Sequence, residues 1–215
     1  MKKKFKITFL FDKSNDWFKN YFKKININKK KYYIKKTYNK KKAQNQDILF
    51  IINYTKILPK IFLKKNKLNL VIHASKLPKD KGFAPVSYQV LRNKKIIYVS
   101  LIEAIEFVDS GNIYLQNKFK LDGTELYSEI RMKTADAMIK LIKTFLKIYP
   151  NNINIKKQKG ISTFNKRRNL KNDELKINQS IKKQFNKLRV SDNNKFPSYF
   201  IYKKKKYLVK IYKED

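Results

Sequence analysis

The sequence predicts an α/β fold, a mostly parallel sheet with helices on both faces, extended by a short C-terminal helix and a β-hairpin. Three observations carry this. Strand-like and helix-like segments alternate over the first 150 residues. The run Asp47-Ile48-Leu49-Phe50-Ile51-Ile52-Asn53-Tyr54 is almost continuously apolar, as in a strand buried on both sheet faces. From about residue 153 the alternation stops and the texture changes.

The elements follow in order. Residues 6–11 alternate and are rich in β-formers, which makes a first strand. Ser14-Asn15-Asp16 supplies capping side chains for a helix over 17–24, with Trp17, Phe18, Tyr21 and Phe22 on one side. Residues 32–36 form a second strand, and the polar Lys40-Lys41-Lys42 stretch a loop. After the 47–54 strand, Pro59 starts a short helix, and residues 68–72 form a strand ending at His73. A helix over 85–91, a strand over 96–103, a turn at 108–112 and a strand over 113–119 come next. Residues 124–149 are the longest helical stretch, with Leu126, Ile130, Met138, Ile142 and Phe145 among its apolar positions, and Pro150-Asn151-Asn152 ends it. Residues 160–178 lack strong periodicity, 181–190 read as a helix, and Tyr199-Phe200-Ile201-Tyr202 and Tyr207-Leu208-Val209-Lys210-Ile211 flank a lysine turn at 203–206.

Composition narrows the function classes. With 42% hydrophobic and 14% aromatic residues there is ample core material despite a net charge of +37. That charge invites a polyanion partner. Yet only Arg92, Arg131, Arg167, Arg168 and Arg189 among the 53 basic residues are arginine, the residue whose planar fork reads phosphate and base edges. Lysine, asparagine, isoleucine, phenylalanine and tyrosine are abundant together and glycine numbers four, so AT-rich codon usage accounts for much of the charge. No cysteine is present, which excludes disulfides and thiolate metal ligands. No run approaches the roughly 18–20 apolar residues of a membrane span. The basic start Met1-Lys2-Lys3-Lys4 precedes an apolar stretch too short and interrupted for a signal peptide. A cytoplasmic protein without membrane contact is expected.

His73 is the single histidine, displayed where a β-branched run meets a turn-prone, Gly/Pro-punctuated loop. In open α/β sheets functional groups stand beyond the carboxyl ends of the strands. One histidine and no cysteine argue against a metal site, and no glycine-rich phosphate loop of standard spacing occurs. A Ser-His-Asp hydrolase can be written from Ser75 or Ser110, His73 and Asp109, but the strained Gly-x-Ser-x-Gly elbow that exposes such a serine is missing. A general acid–base pair of His73 and an acid remains, with Asp109, in a turn between two strands of the same sheet, as partner. A hydrogen-bonded, purely structural histidine is the alternative.

The segment Ile72-His73-Ala74-Ser75-Lys76-Leu77-Pro78, followed by Gly82 and Ala84-Pro85, resembles the His-x-Ser-x-Leu-Pro…Gly-x-x-Pro signature of the folate-dependent formyltransferase family. Phe107-Val108-Asp109-Ser110-Gly111-Asn112-Ile113-Tyr114, with Asp109 36 residues after His73, is similar to that family's second signature, an Asp-x-Gly turn before a strand. The likeness spans residues 47–145. It implies a Rossmann-like formyltransferase fold over residues 1–160, with 161–215 as a C-terminal extension for substrate contact or homodimerisation. It also implies transfer of a formyl group from 10-formyltetrahydrofolate, without a metal, to a primary amine. On this pattern His73 handles protons and stabilises the tetrahedral intermediate, and Asp109 orients the imidazole and favours its cation. Ser75, Lys76, Leu77 and Pro78, with Ile105, Glu106, Phe107 and Val108, would line the pterin pocket.

The chain departs from the family pattern at Val71, where an asparagine that helps to bind the oxyanion is usual. Loss of one such donor costs about 10²–10³ in rate. Asn69, Asn53 or a backbone N–H are the substitutes, and a catalytically silent binding protein is the alternative. Arg167-Arg168-Asn169-Leu170-Lys171-Asn172-Asp173 resembles the arginine-rich segment with a following acid in sugar formyltransferases, where two arginines could clamp a diphosphate. The residues after Gly160 are fewer than the C-terminal domain that methionyl-tRNA formyltransferases carry for tRNA. A nucleotide-linked amino sugar is therefore the expected acceptor, with methionyl-tRNA as the rival.

Overall fold

A computed structural model describes residues 4–214; the Met1-Lys2-Lys3 start lies outside them. Strands β1 (Phe5–Phe11), β2 (Tyr32–Thr37), β3 (Ile48–Ile52) and β4 (Asn69–His73) are followed by a two-residue strand β5 (Lys81–Gly82), then β6 (Ile96–Glu103) and β7 (Ile113–Lys120). The helices among them are α1 (Lys60–Leu63), α2 (Pro85–Leu91) and the long α3 (Tyr127–Ile148). Beyond α3 come β8 (Phe164–Asn165), α4 (Ile181–Arg189) and the hairpin strands β9 (Ser198–Tyr202) and β10 (Lys205–Val209).

The main sheet runs β2-β1-β3-β4-β6-β7. Its first four strands are parallel, and β6 and β7 close it antiparallel. The sequence accounts for this order. All five residues of β3 are buried, the state its uninterrupted apolar run requires at the sheet centre. β7, at the edge, alternates half-buried and exposed residues. On one face Phe9 stacks on Phe50 with ring centroids 5.0 Å apart, and Phe145 from α3 meets Phe50 edge-on at 5.9 Å. On the other, Leu10, Leu49 and Ile51 pack against Leu58, Phe62 and Leu63 around α1. A third cluster of Val90, Ile97, Leu121, Ile130 and Val190 joins α2, the outer strands, α3 and the end of α4.

Four elements differ from the sequence reading, the first being Lys40–Ala43, a 3₁₀ turn in place of a loop. Residues Trp17–Lys24 wind as 3₁₀ turns, not an α-helix. Asp16 makes no cap bond; its carboxylate accepts from the Tyr38 hydroxyl at 3.0 Å instead. Aromatic residues and Asn20 favour the helix weakly, so burial of Phe18 and Phe22 decides its shape. Helix α3 begins at Tyr127, because Asp122 Oδ1 accepts from the amide and hydroxyl of Thr124, both at 2.7 Å, and holds that stretch as a turn. The C-terminal hairpin turns on Lys203 and Lys204 alone, both with positive φ, so Lys205 and Lys206 join β10.

The residues after 160 are tied to the sheet domain. Arg189 donates through Nε to the Glu125 carbonyl (2.8 Å) and through Nη2 to its carboxylate (3.1 Å), with both side chains buried. Burial pushes the Glu125 carboxyl up, but Lys133 and the amides of Asp122 and Gly123 outweigh it and hold the group below its ordinary range. The last turn of α3 is secured similarly: the buried Tyr32 hydroxyl donates to the Leu146 carbonyl at 2.7 Å. Tyr32→Phe is expected to cost about 1–2 kcal/mol, measured as a lower urea midpoint with an unchanged slope.

Candidate active site

His73 is the last residue of β4, and Asp109 lies in the turn between β6 and β7 with φ +48°. In the antiparallel register of β4 on β6 His73 stands opposite Ser100 and Leu70 opposite Glu103, so β6 ends beside the start of β4, and the segment between β6 and β7 turns back to bring Asp109 to His73. The two side chains meet at 3.3 Å, His73 Nδ1 to Asp109 Oδ2, and both are largely shielded from water. The other ring nitrogen, Nε2, lies 2.7 Å from the Asp80 carbonyl oxygen. A carbonyl only accepts, so Nε2 carries a hydrogen and donates. The ring is thus anchored through Nε2, and Nδ1 is the nitrogen it shares with the carboxylate.

Each partner has its own support. The Gly82 amide donates to Asp109 Oδ2 at 2.8 Å. Gln158 Nε2 donates to the carbonyls of Asp109 and Gly111, both at 2.8 Å. Asp80 has φ +60°, its amide donates to Thr163 Oγ1 at 2.8 Å, and its carboxylate is paired with Arg92. Arg92 Nη2 also donates to Asn165 Oδ1 at 2.8 Å, and Asn165 Nδ2 donates to Asp80 Oδ1 at 3.2 Å. Strand β8 pairs with β5, so the C-terminal segment braces the loop that anchors the histidine.

The pair opens onto a cleft of about 1330 Å³. Ile105, Glu106, Phe107 and Val108 line it with Ile57 and Leu58 opposite. Phe107 is 65% exposed and Ile57 69%, an apolar rim with no protein to cover it. Ser75, Lys76, Leu77 and Pro78 do not line this cleft. Ser75 is fully buried with its hydroxyl donating to the Lys79 carbonyl at 2.8 Å, Leu77 is in the core, and the Lys76 ammonium sits 5.0 Å from the Tyr98 ring. Ser75 and Leu77 turn inward while Lys76 stays exposed, and the backbone of this tight loop is satisfied from the sheet and α2: the Ser75 carbonyl accepts from Ser100 Oγ at 2.6 Å, and the Ala74 carbonyl from Gln89 Nε2 at 2.7 Å.

Arg167 and Arg168 both reach the cleft wall, in different states. The Arg167 guanidinium lies 5.8 Å from the Phe83 ring. Arg168 pairs through Nη2 with Asp173, while its buried Nη1 has no partner among the described residues. The sequence reading missed a second cationic wall, where Arg131 lies 4.3 Å from the Trp17 ring and donates to the Tyr127 hydroxyl at 2.9 Å. The scarcity of arginine and the single tryptophan were the available signals. Asn69 is fully employed: Nδ2 donates to the Leu63 carbonyl at 2.8 Å, and Oδ1 accepts from Asn66 at 3.0 Å. Among the described residues no cluster of three or more His, Asp or Glu could hold a metal ion, and no helix is long and apolar enough to cross a membrane.

A His–Asp pair facing an open, apolar-rimmed cleft on an α/β sheet has the groups to move a proton at a bound molecule. The family defined as formyl transferase matches residues 7–146, and the chain belongs to that family. It is 34% identical over 156 residues to the methionyl-tRNA formyltransferase of Thermodesulfovibrio yellowstonii, covering 70% of this chain and 49% of that protein. The chain spans half or less of the length of such relatives, 36% for the methionyl-tRNA formyltransferase of Prochlorococcus marinus. In fold it is similar to a 4-N formyltransferase from Francisella tularensis, with a TM-score of 0.78, 18% identity and 98% of each chain covered. It is also similar to HypX from Aquifex aeolicus in complex with tetrahydrofolic acid, with a TM-score of 0.80, 14% identity, and 97% of this chain and 38% of that one covered.

Proposed function

We propose that the protein is an N-formyltransferase that moves the formyl group of 10-formyltetrahydrofolate to the primary amine of a nucleotide-linked amino sugar. The observation that carries the reaction class is the anchored His73–Asp109 pair facing the cleft. Its exposed apolar rim at Ile57, Ile105, Phe107 and Val108 suits a flat aromatic ring system such as a pterin. When bound, that donor supplies an activated formyl carbon. The pair takes the proton that the attacking amine sheds and returns one to the leaving nitrogen. The Asp80 carbonyl keeps the ring from turning, and Asp109 balances the charge the ring acquires.

Three arginines support the choice of acceptor. Arg131, Arg167 and Arg168 line the same cleft, and the buried Nη1 of Arg168, without a partner among the described residues, can donate to one more acceptor oxygen. Such a set suits a diphosphate. The test is turnover with 10-formyltetrahydrofolate against a panel of nucleoside-diphosphate amino sugars and methionyl-tRNA. Arg168→Lys is expected to raise KM for the nucleotide-linked sugar by about 10-fold or more, as loss of a charged hydrogen bond does, with little change in KM for the folate. Preference for methionyl-tRNA would support the second reading, to which the Thermodesulfovibrio relative points. No transfer to any amine would leave a silent relative that binds only.

A further inference from the structure

Formyl transfer through an anchored imidazole leaves one electrostatic demand unmet. As the amine attacks, negative charge grows on the formyl oxygen, and a preorganised donor there is usually the largest single contribution to the rate. His73 does not supply it through Nε2, which is spent on Asp80, and Nδ1 faces a carboxylate. Val71, two residues before His73 on the same strand, has no donor in its side chain.

We infer that the side-chain amide of Asn53 is the oxyanion donor of this site. This rests on the formyl-transfer reading above. The register of β3 on β4 pairs Leu49 with Asn69, Phe50 with Leu70 and Ile51 with Val71. Asn53 directly follows β3 and His73 ends β4, so the two stand at the same end of neighbouring parallel strands. Both residues line the cleft. Asn53 Nδ2 is buried and has no acceptor among the described residues. Leaving such a donor unsatisfied is costly, and the acceptor that would satisfy it is an oxygen of the substrate.

The residue is also held in place without use of that amide. It sits just past β3 with φ +51°, a conformation asparagine tolerates better than most residues. Its carbonyl accepts from Asn15 Nδ2 at 3.2 Å. Two residues on, the amide and hydroxyl of Thr55 donate to Asp12 Oδ2. Burial pushes the Asp12 carboxyl up, but the bonds from Thr55 and Ser14 outweigh it and hold the group well below the usual carboxylate range. The loop is therefore clamped by an ionised acid just past β1, as preorganisation requires. In the step itself the bond from amine nitrogen to formyl carbon forms and the bond from that carbon to the folate nitrogen breaks. The amine proton passes through the His73–Asp109 pair to the leaving nitrogen, and Asn53 donates a hydrogen bond without giving up its proton.

Asn53→Gly removes the amide and keeps the positive φ; Asn53→Asp keeps size and shape but replaces the donor with an acceptor. Both are expected to lower kcat by about 10²–10³-fold, with the Kd for 5-formyltetrahydrofolate within threefold of wild type. Turnover of either folded variant within threefold of wild type would overturn the assignment, and Asn53→Asp decides alone if Asn53→Gly does not fold. A loss carried by the folate Kd and not by kcat would likewise overturn it, since Asn53 would then hold the donor and not the transition state. A wild-type protein that binds 5-formyltetrahydrofolate but transfers formyl to no acceptor would bring down the activity reading, and this proposal with it.

Discussion

His73→Gln is expected to lower kcat for formyl transfer by about 10²–10⁴-fold, the range spanned by positioned general acid–base groups. Glutamine suits this test better than alanine. The imidazole is 7% exposed and spans two acceptors, so truncation would leave a hole and an unpaired carbonyl at Asp80. A glutamine amide can still donate to that carbonyl, but it cannot take up and release a proton. Asp109→Asn is expected to cost less. It removes the charge that balances the imidazolium and turns half of the carboxylate into a donor facing Nδ1, while the Gly82 amide and Gln158 still hold the turn. Release of tetrahydrofolate in steady state measures both. Retention of turnover within tenfold in His73→Gln would mean that the histidine only braces the loop, the structural alternative that its anchored Nε2 keeps in view.

Where local pattern alone decides, sequence and structure agree closely. Helix α2 and strand β6 fall on the bounds that periodicity and Pro85 set, and β4 ends on His73 as its run of branched residues implies. His73 and Asp109 do meet, but not by sharing a sheet edge: β6 ends beside Leu70, and the segment that follows it turns back to bring Asp109 to His73. What could not be read depends on partners distant in sequence. Ser75 belongs to a signature whose family resemblance implied a backbone lining the pterin pocket, yet its carbonyl and hydroxyl are taken by Ser100 and Lys79 and the side chain faces the interior. Asn69 and Asn53 were equal substitutes on paper. A buried bond to the Leu63 carbonyl removes the first, and an amide left without a partner in the cleft singles out the second. Arg131 and Trp17 come together only because α3 and the 3₁₀ turns at Trp17–Lys24 share one face of the sheet. The Asp80–Arg92–Asn165 cluster needs a strand pairing, β5 with β8, two residues long, below the length that any periodicity can register.

Gly111→Ala is expected to remove about 3 kcal/mol or more of stability, at or beyond the upper end of ordinary overpacking, and to reduce transfer activity even where the protein still folds. The reason is a close approach of two main chains, not a dihedral preference. A Cβ at Gly111 would overlap the Glu103 carbonyl oxygen and stand 2.8 Å from its carbonyl carbon. Neither is the yielding end of a side chain. The Glu103 amide accepts no freedom either, since it donates to the Asn112 carbonyl at 2.9 Å and so closes the β6–β7 turn around the glycine. Relief must come from moving the turn, and the turn carries Asp109. Gln158, which bridges the carbonyls of Asp109 and Gly111, passes any shift at one to the other. The carboxylate already sits 3.3 Å from His73 Nδ1, so a displacement of about 1 Å breaks the contact. Thermal unfolding should therefore show a lowered Tm together with a fall in kcat at temperatures where the variant is folded. An alanine variant with wild-type Tm and kcat would show that the turn yields elsewhere and that Asp109 does not depend on the tight packing of Gly111 for its place beside the histidine.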